Sequence, residues 1–374
     1  MTRSMDILSK IEQANLVGRG GACFPVAKKW SAVAKAIRSK STYAPSTAEA
    51  SDSRKASADK SAGKCYVVCN AAEGEPGVAK DGYILEHYPE KVIDGMKIAI
   101  NFFSNGRRKI YNKINIKGYI FLNRSYYKKF NKKLTALLKN SKIEIFVKPP
   151  NAGYIGGEES AVINAIEGIK IEPRLKPPFP TTVGLWGFPT LINNVETYYN
   201  VCLVNEGRFK NNRFYTISGD CPREGVYELP DSLTIETALK TTKNYPKFPF
   251  FVQVGGNASG ELLNSAQLRR PVQGAGSIAV YSLAKNNYKK IIKDWLDFFA
   301  SESCGQCAPC REGTLRLKEV FMAEKPDWVL FNNLLDNLSD TSLCALGCSV
   351  PVPIKSFIKN VWPAGISRLK IKNH

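Results

Sequence analysis

Apolar residues recur through the first half of the chain in two rhythms. Cys65 to Cys69, Gly118 to Leu122 and Ile143 to Val147 are short runs rich in apolar and β-branched residues, as expected of strands buried on both faces. Between them, the stretches near Pro89 to Phe103 and Tyr126 to Leu138 space their apolar residues three and four apart, which predicts amphipathic helices. A polar loop runs from the first strand to Asp81, and a later loop, Asn151 to Glu159, leads into a helix over Ser160 to Glu167. Strands alternating with helices predict a parallel α/β sheet, in which ligands bind at strand ends. A short helix within Met1 to Leu16 and a helical stretch around Lys29 and Trp30 precede it. Residues 39 to 64, rich in Ser, Ala and Lys, hold almost no large apolar side chain and are expected to be a disordered insertion.

The rhythm changes twice further on. From 213 to 284 short strands are expected at Phe214 to Ser218, Gly225 to Glu228, Phe250 to Val254 and Ser277 to Tyr281, around one helix near Ile235 to Lys240. Beyond 285 the spacing is helical through Trp295 to Phe299, Leu315 to Phe321, Trp328 to Leu338 and Ile354 to Val361, which predicts a helical bundle. The expected division is 1–212, 213–284 and 285–374, in keeping with the two or three domains that 374 residues suggest.

Composition removes several classes of function. No run of about 18 apolar residues offers a transmembrane segment, and the N-terminus lacks the apolar stretch of a secretion signal, so a cytoplasmic protein is expected. Lys and Arg outnumber Asp and Glu by 53 to 33, a net charge of +20, but the cations are spread over the whole chain. A dedicated nucleic-acid site is therefore not expected, and an acidic protein partner or anionic lipid surface suits the charge better. With only His87 and His374, histidine-based metal sites and Ser-His catalysis are nearly excluded. Ten cysteines without a secretion signal point to metal or redox chemistry.

Five of those cysteines lie in two C-terminal groups. In Ser303-Cys304-Gly305-Gln306-Cys307-Ala308-Pro309-Cys310 three thiols repeat every third residue, so one loop can present three sulfurs to one inorganic core. A cuboidal [4Fe-4S] cluster needs four thiolates. Cys344 is the expected fourth ligand, with Cys348 competing, and a four-thiolate zinc site is the alternative. The loop Gly18-Arg19-Gly20-Gly21 lets backbone approach an anion closely, and Arg19 and Lys29 could add charge; it could equally be a turn. Tyr154-Ile155-Gly156-Gly157-Glu158-Glu159 could close against a ring and its ribose, or its carboxylates could serve a helix N-terminus. Asn70, Glu73 and Glu75, just past a strand end, are further candidates that could also be turn formers.

Taken together, these motifs resemble the NADH-binding flavoprotein subunit of respiratory complex I, a family also found in bidirectional hydrogenases and NAD-linked formate dehydrogenases. The likeness runs from Gly18 to the C-terminus apart from the insertion. It rests on Gly18 to Trp30, Cys69-Asn70-Ala71 with Glu73 to Gly77, Tyr154 to Glu159, Lys176 to Pro180, Asn193 to Thr197 and the triple-cysteine loop. The resemblance implies a Rossmann-like α/β domain binding FMN and NADH, a ubiquitin-like β-grasp domain in the middle, and a C-terminal helical bundle carrying the iron-sulfur cluster. FMN would be held by Gly20, Gly21, Lys29, Asn70, Tyr154, Gly157, Glu158, Asn193 and Asn194, with Gly18, Arg19 and Glu73 in the same loops. NADH would be the substrate, with Phe24 and Phe179 flanking its adenine, Glu159 and Lys176 contacting the nucleotide, and Glu75, the catalytic candidate, near the nicotinamide. Hydride would pass from nicotinamide to flavin, and electrons singly to the cluster, with the protein supplying position. Expected partners are a small [2Fe-2S] subunit and a larger iron-sulfur subunit of a multi-subunit complex, peripheral at the cytoplasmic face of a membrane.

The sequence departs from the family pattern at Cys23, Ala32, Ala72, Gly82 and Gly156, where a Gly, a Phe, an Asp, an Arg and a Cys are usual. The triplet Ala71-Ala72-Glu73 also resembles the C subunit of the Rnf ferredoxin:NAD oxidoreductase, which leaves that enzyme as an alternative. A second alternative is a degenerate electron-transfer or assembly module that keeps the cluster but no longer oxidises NADH.

Overall fold

A computed structural model describes residues 6–39, 63–105 and 114–362. Most of the Ser/Ala/Lys-rich segment expected to be disordered lies outside the described residues. The chain divides into two compact units, one from Met1–Glu73, Asp81–Ala152 and Gly156–Asn211, the other from Gly74–Lys80, Gly153–Ile155 and Asn212–His374.

The first unit contains helices α1 (Ile7–Gln13) and α2 (Val26–Arg38), strand β1 (Gly63–Ala71), helices α3 (Lys80–His87) and α4 (Pro89–Asn105), and strand β2 (Ile114–Leu122). Helix α5 (Arg124–Leu138), strand β3 (Ile143–Val147), helix α6 (Glu159–Glu167), strand β4 (Thr190–Asn194) and helix α7 (Val195–Asn205) complete it. The four strands form a parallel sheet in the order β3-β2-β1-β4. Because strand side chains alternate, Val68, Phe121 and Ile192 pack under Val162, Ile163 and Ile166 of α6 on one face. The opposite face is covered by α4 and α7, which cross where Gly95 stands: a Cβ there would lie 2.0 Å from the Tyr198 carbonyl oxygen. Trp30 of α2, fully buried, docks against Phe102 and Phe103 of α4 at ring distances of 5.4 and 5.7 Å. The result is the α/β/α sandwich that the alternating rhythm predicts.

In the second unit, β5 (Asn212–Gly219), β6 (Gly225–Pro230), α8 (Ile235–Thr241), β7 (Phe250–Val254), β8 (Glu261–Asn264) and β9 (Ser277–Ser282) precede five helices. The sheet order is β6-β5-β9-β7-β8, with β5 and β9 parallel and the other pairs antiparallel, which is the β-grasp arrangement. Along β7 the alternation is decisive. Phe250, Val252 and Val254 point into a core with Ile235, Ala238 and Leu239 of α8, while Phe251 points to the opposite face. There it joins a second core with the helices α9 (Tyr288–Glu302), α10 (Ala308–Met322), α11 (Trp328–Thr341), α12 (Ala345–Ser349) and α13 (Pro351–Asn360). The exposed-edge problem of β8 is solved by α13: Ser356 Oγ accepts from the Leu262 N–H (2.9 Å) and Asn360 Nδ2 donates to the Leu262 carbonyl (2.7 Å).

Candidate functional site

The parallel sheet of the first unit reverses its winding between β1 and β4, because β2 and β3 extend from one side of β1 and the chain then returns to the other. The C-terminal ends of the strands flanking such a reversal form a crevice for ligands. Here those ends carry Asn70, paired in register with Asn194, and Cys69, paired with Asn193. Asn193 is 6% exposed, and its Nδ2 has no hydrogen-bond partner among the described residues. A buried amide left in that state costs about 1–3 kcal/mol, so it is a donor that a bound group would satisfy.

Two loops close on these strand ends. Val17 bridges Pro25 and the Gly18 N–H donates to the Phe24 carbonyl (2.8 Å), which folds residues 18 to 24 into a hairpin-like loop. Its Gly20 approaches Asn194 so closely that a Cβ would meet the Asn194 Cβ at 3.4 Å. Gly21, at φ +108°, has nothing within 4 Å of where a Cβ would stand. Cys23, at φ +50°, occupies the left-handed region that glycine adopts most cheaply, which accounts for the glycine usual at that position. The second loop is tied to β1: Asn70 Nδ2 donates to the Gly157 carbonyl (2.8 Å), and Asn70 Oδ1 accepts from the Ala72 N–H (3.2 Å). Open glycine backbone, an unsatisfied amide and the switch-point position fit a flat, anionic cofactor such as FMN.

The charged candidates form a network. Lys29 Nζ lies 3.1 Å from Glu159 and donates to the Ile192 carbonyl (2.9 Å) on β4, while Lys176 Nζ bridges Glu158 (2.6 Å) and Glu159 (3.1 Å). Burial pushes the Glu159 carboxyl upward, but the charge of Lys29, then that of Lys176, outweighs it and holds the group below its ordinary value. Glu158 also caps α6, its carboxylate accepting from the Ser160 and Ala161 N–H groups (2.8 and 2.9 Å). Arg19 takes another course: its side chain is 2% exposed and donates to Asn211 Oδ1 (3.2 Å), so it buttresses the glycine loop instead of presenting a free cation. Phe24 and Phe179 leave 51% and 53% of their surface exposed, as several other large apolar side chains of the chain do.

Glu73 serves α3, accepting from the N–H groups of Asp81 (2.9 Å) and Gly82 (3.2 Å) and from the Tyr126 hydroxyl. Asp81 in turn accepts from Asn194 Nδ2 (2.6 Å). Tyr126 occupies the room freed where the family has an arginine, since a Cβ at Gly82 would lie 2.7 Å from its ring.

Glu75 and Tyr154 belong to the second unit. Glu75 Oε1 accepts from the Ala258 and Ser259 N–H groups (3.0 and 3.1 Å), and Oε2 accepts from the Tyr154 hydroxyl (2.6 Å). Burial, followed by the Glu75 charge and hydrogen bond, pushes the Tyr154 hydroxyl far above its ordinary value, so it stays a donor. Gly256 makes room: a Cβ there, at φ +155°, would stand 2.1 Å from Glu75 Oε1. The doublet Gly255-Gly256 was the only sequence signal of this receptor, and it lies far from any motif.

The cysteines are gathered by packing between helices. Gly305, at φ +78°, turns the Cys304–Cys307 loop, and Arg311 Nη1 reaches back to its carbonyl (2.7 Å). Cys307 and Cys344 stand at the N-terminal ends of α10 and α12. Helix α12 lies against α10 at Gly347, whose Cβ would be 3.2 Å from that of Cys310. Burial pushes the Cys310 thiol up to about 11, helped by the thiols of Cys307, Cys344 and Cys304 and opposed by the Ser303 hydroxyl at 3.4 Å. Cys344 is raised by burial too, against the pull of the Leu346 and Gly347 amides, and it feels Cys304 and Cys307. Those amides do not close a hydrogen bond of normal geometry with the sulfur; their influence is one of proximity. Cys348 is raised by burial and feels Cys307 alone of the thiols, its Sγ donating to the Ser342 carbonyl (3.5 Å). The raised Cys310 and Cys344 thiols become thiolates readily only around positive charge. Among the described residues no three His, Cys, Asp or Glu side chains are gathered closely enough for one metal ion. Thiols alone are the donor set of a [4Fe-4S] core, which takes one per iron, and also of a four-thiolate zinc site.

A switch-point crevice for a flavin in one unit and a thiol quartet in the other define an iron-sulfur flavoprotein. Family models agree part by part: residues 47–203 match the Nuo51 FMN-binding domain, and 290–364 the NADH-ubiquinone oxidoreductase-F iron-sulfur binding region. The chain is 32% identical to the F subunit of NADH-quinone oxidoreductase from Buchnera aphidicola subsp. Schizaphis graminum, over 98% of this chain and 86% of that one. It is 29% identical to the counterpart from Aquifex aeolicus, over 91% and 81%. The chain belongs to the family of NADH-quinone oxidoreductase F subunits. The fold is also that of a chain in the crystal structure of an NAD+-reducing [NiFe]-hydrogenase, with a TM-score of 0.79 and 28% identity over 98% of this chain; this chain spans 63% of that one. Among the described residues no helix is long and apolar enough to cross a membrane.

Proposed function

We propose that this chain oxidises NADH on a bound FMN and delivers the electrons, one at a time, through a [4Fe-4S] cluster on Cys304, Cys307, Cys310 and Cys344 to a partner subunit. The observation that carries the reading is the pairing, in one chain, of a flavin crevice at the β1/β4 reversal with four thiols that influence one another, Cys310 buried and Cys304, Cys307 and Cys344 partly so. When bound, FMN supplies the conversion of a two-electron donor into single electrons. The chain's own residues position and exclude. Gly18, Gly20 and Gly21 let the backbone approach the cofactor, with Arg19 holding their loop down from its buried site. Asn70, Gly157, Asn193 and Asn194 line the crevice, and Glu73 fixes the α3 end beside it. Lys29 and Glu158 would help to hold the flavin and, through their ion pairs, set Glu159 and Lys176 to contact the nucleotide, whose adenine Phe24 and Phe179 would flank. Tyr154 would help to hold the flavin, and Glu75, hydrogen-bonded to it, would lie near the nicotinamide. Glu75 accepts three hydrogen bonds that fix its carboxylate in place, which suits a positioning part.

The resemblance to the family supports the finer reading that its partners are a small [2Fe-2S] subunit and a larger iron-sulfur subunit and that its place is peripheral, at the cytoplasmic face of a membrane. The test is direct. Purified protein loaded with FMN and iron-sulfide is mixed with NADH without oxygen. Bleaching of the flavin absorbance followed by a reduced-cluster signal is expected. A cluster signal with no flavin response would overturn the reading and leave the degenerate electron-transfer module.

A further inference from the structure

One carboxylate of the second unit has no part in that electron path. Glu302, the last residue of α9, accepts from the backbone N–H of Tyr154 at 2.6 Å. One turn earlier on the same helix, Phe298 meets the Tyr154 ring edge-on, at 5.4 Å and 78°. Residues four apart share a helix face, so α9 grips Tyr154 by ring and backbone together. The grip needs Gly153: its φ is +51°, and a Cβ would lie 2.6 Å from Glu302 Oε2. The far end of Tyr154 is held by Glu75 (2.6 Å), itself fixed by the Ala258 and Ser259 amides. Beyond Glu302 the chain passes through Ser303 into Cys304. The segment that presents three thiols therefore begins where the Tyr154 grip ends.

We propose that Glu302 is a positioning residue that fixes Tyr154, and through it the Tyr154–Glu75 pair, to the helix from which the cluster loop springs. The proposal rests on the reading that Tyr154 helps to hold the flavin and Glu75 lies near the nicotinamide. A neutral carbonyl can accept the same N–H, so Glu302→Gln should preserve the grip and Glu302→Ala should release it.

The experiment compares Glu302→Ala, Glu302→Gln, Gly153→Ala and Tyr154→Phe in the full chain loaded with FMN and iron-sulfide, at matched iron content. Three quantities are read: hydrogen exchange of the Tyr154 amide, the FMN dissociation constant from flavin fluorescence, and the limiting rate of flavin reduction by NADH with its KM. In Glu302→Ala, Tyr154 exchange should quicken about tenfold or more and the limiting rate fall about tenfold, since small misplacements are costly to a reaction run by alignment. The FMN dissociation constant should change by less than about threefold, because among the described residues the hydrogen bond of Glu302 is to the Tyr154 backbone and the other flavin-holding residues are left in place. Glu302→Gln should lie within about twofold of the parent in all three, the hydrogen bond being kept. Gly153→Ala, which pushes the same contact apart from the loop side, should repeat the loss and carries the test if Glu302→Ala cannot hold iron. If Tyr154→Phe slows reduction while Glu302→Ala and Gly153→Ala do not, the positioning role is wrong and the site reading stands. If Tyr154→Phe is itself silent, both fall.

Discussion

Replacing Cys344 by alanine should cost the chain its cluster, whereas replacing Cys348 should not. Alanine is preferable to serine, whose oxygen can itself bind iron. The magnitude follows from where the two thiols sit. Cys344 feels Cys304 and Cys307 and is felt by Cys310; Cys348 stands four residues along α12, a rise of roughly 6 Å at about 1.5 Å per residue. For Cys348 to take the place that Cys344 holds, α12 would have to slide by about one turn, lifting Leu346, now 3% exposed, out of its core. That costs roughly 2–3 kcal/mol, and breaking the Cys348 contact to the Ser342 carbonyl adds about 1 kcal/mol. A penalty of roughly 3–4 kcal/mol disfavours the substitute ligand several hundredfold, at about 1.4 kcal/mol per tenfold. Iron and acid-labile sulfide assays after anaerobic reconstitution should find about four irons per chain in the parent and in Cys348→Ala, and under about a tenth of that in Cys344→Ala. Full iron in Cys344→Ala, or its loss in Cys348→Ala, would refute the assignment.

Gly256→Ala should drive a methyl into Glu75 and cost roughly 2–3 kcal/mol; slowed flavin reduction with intact iron is expected, and unchanged kinetics would mean that the Glu75 receptor is irrelevant to catalysis. Gly82→Arg, which restores the residue usual in the family, should destabilise the first unit by about 1–3 kcal/mol because Tyr126 fills that space. Adding Tyr126→Ala should recover part of the loss, and simple additivity in chemical denaturation would count against the exchange. The Glu159 network gives a pH dependence. Its folded carboxyl lies below the ordinary value of 4.5, so the stabilisation is present above that pH and disappears as pH falls through the lower folded value. Lys29→Met should raise the folded value and move acid unfolding, followed by circular dichroism, to higher pH; an unmoved midpoint would deny Lys29 its part.

Much of the fold was legible because burial writes a period into the chain. Strand β3 and strand β7 have the bounds that their apolar runs predict, Ile143–Val147 and Phe250–Val254. The misses have physical causes. Helix α3 begins in a polar loop, and its start depends on Glu73, seven residues upstream of Lys80, which no local pattern announces. Strand β8 is four residues long and owes its place to side chains of α13, nearly a hundred residues later. In the site, residue types with one job, such as thiols in triplet spacing, could be seen at once. Glu302, Tyr126 and the amides of Ala258 and Ser259 could not, because their contribution is a contact made only after folding.

The second unit takes Gly74–Lys80 and Gly153–Ile155 from within the sequence that otherwise builds the first. This has a consequence for descent. A gene fragment beginning at Asn212 would encode the β-grasp sheet and every cluster ligand, yet it would lack Glu75, Tyr154 and Ile155 and leave their receptors vacant. No single breakpoint can hand the cluster-bearing part to another protein whole. Recombination should therefore have moved the two units together, and the borrowed stretches act as a genetic lock on their joint inheritance.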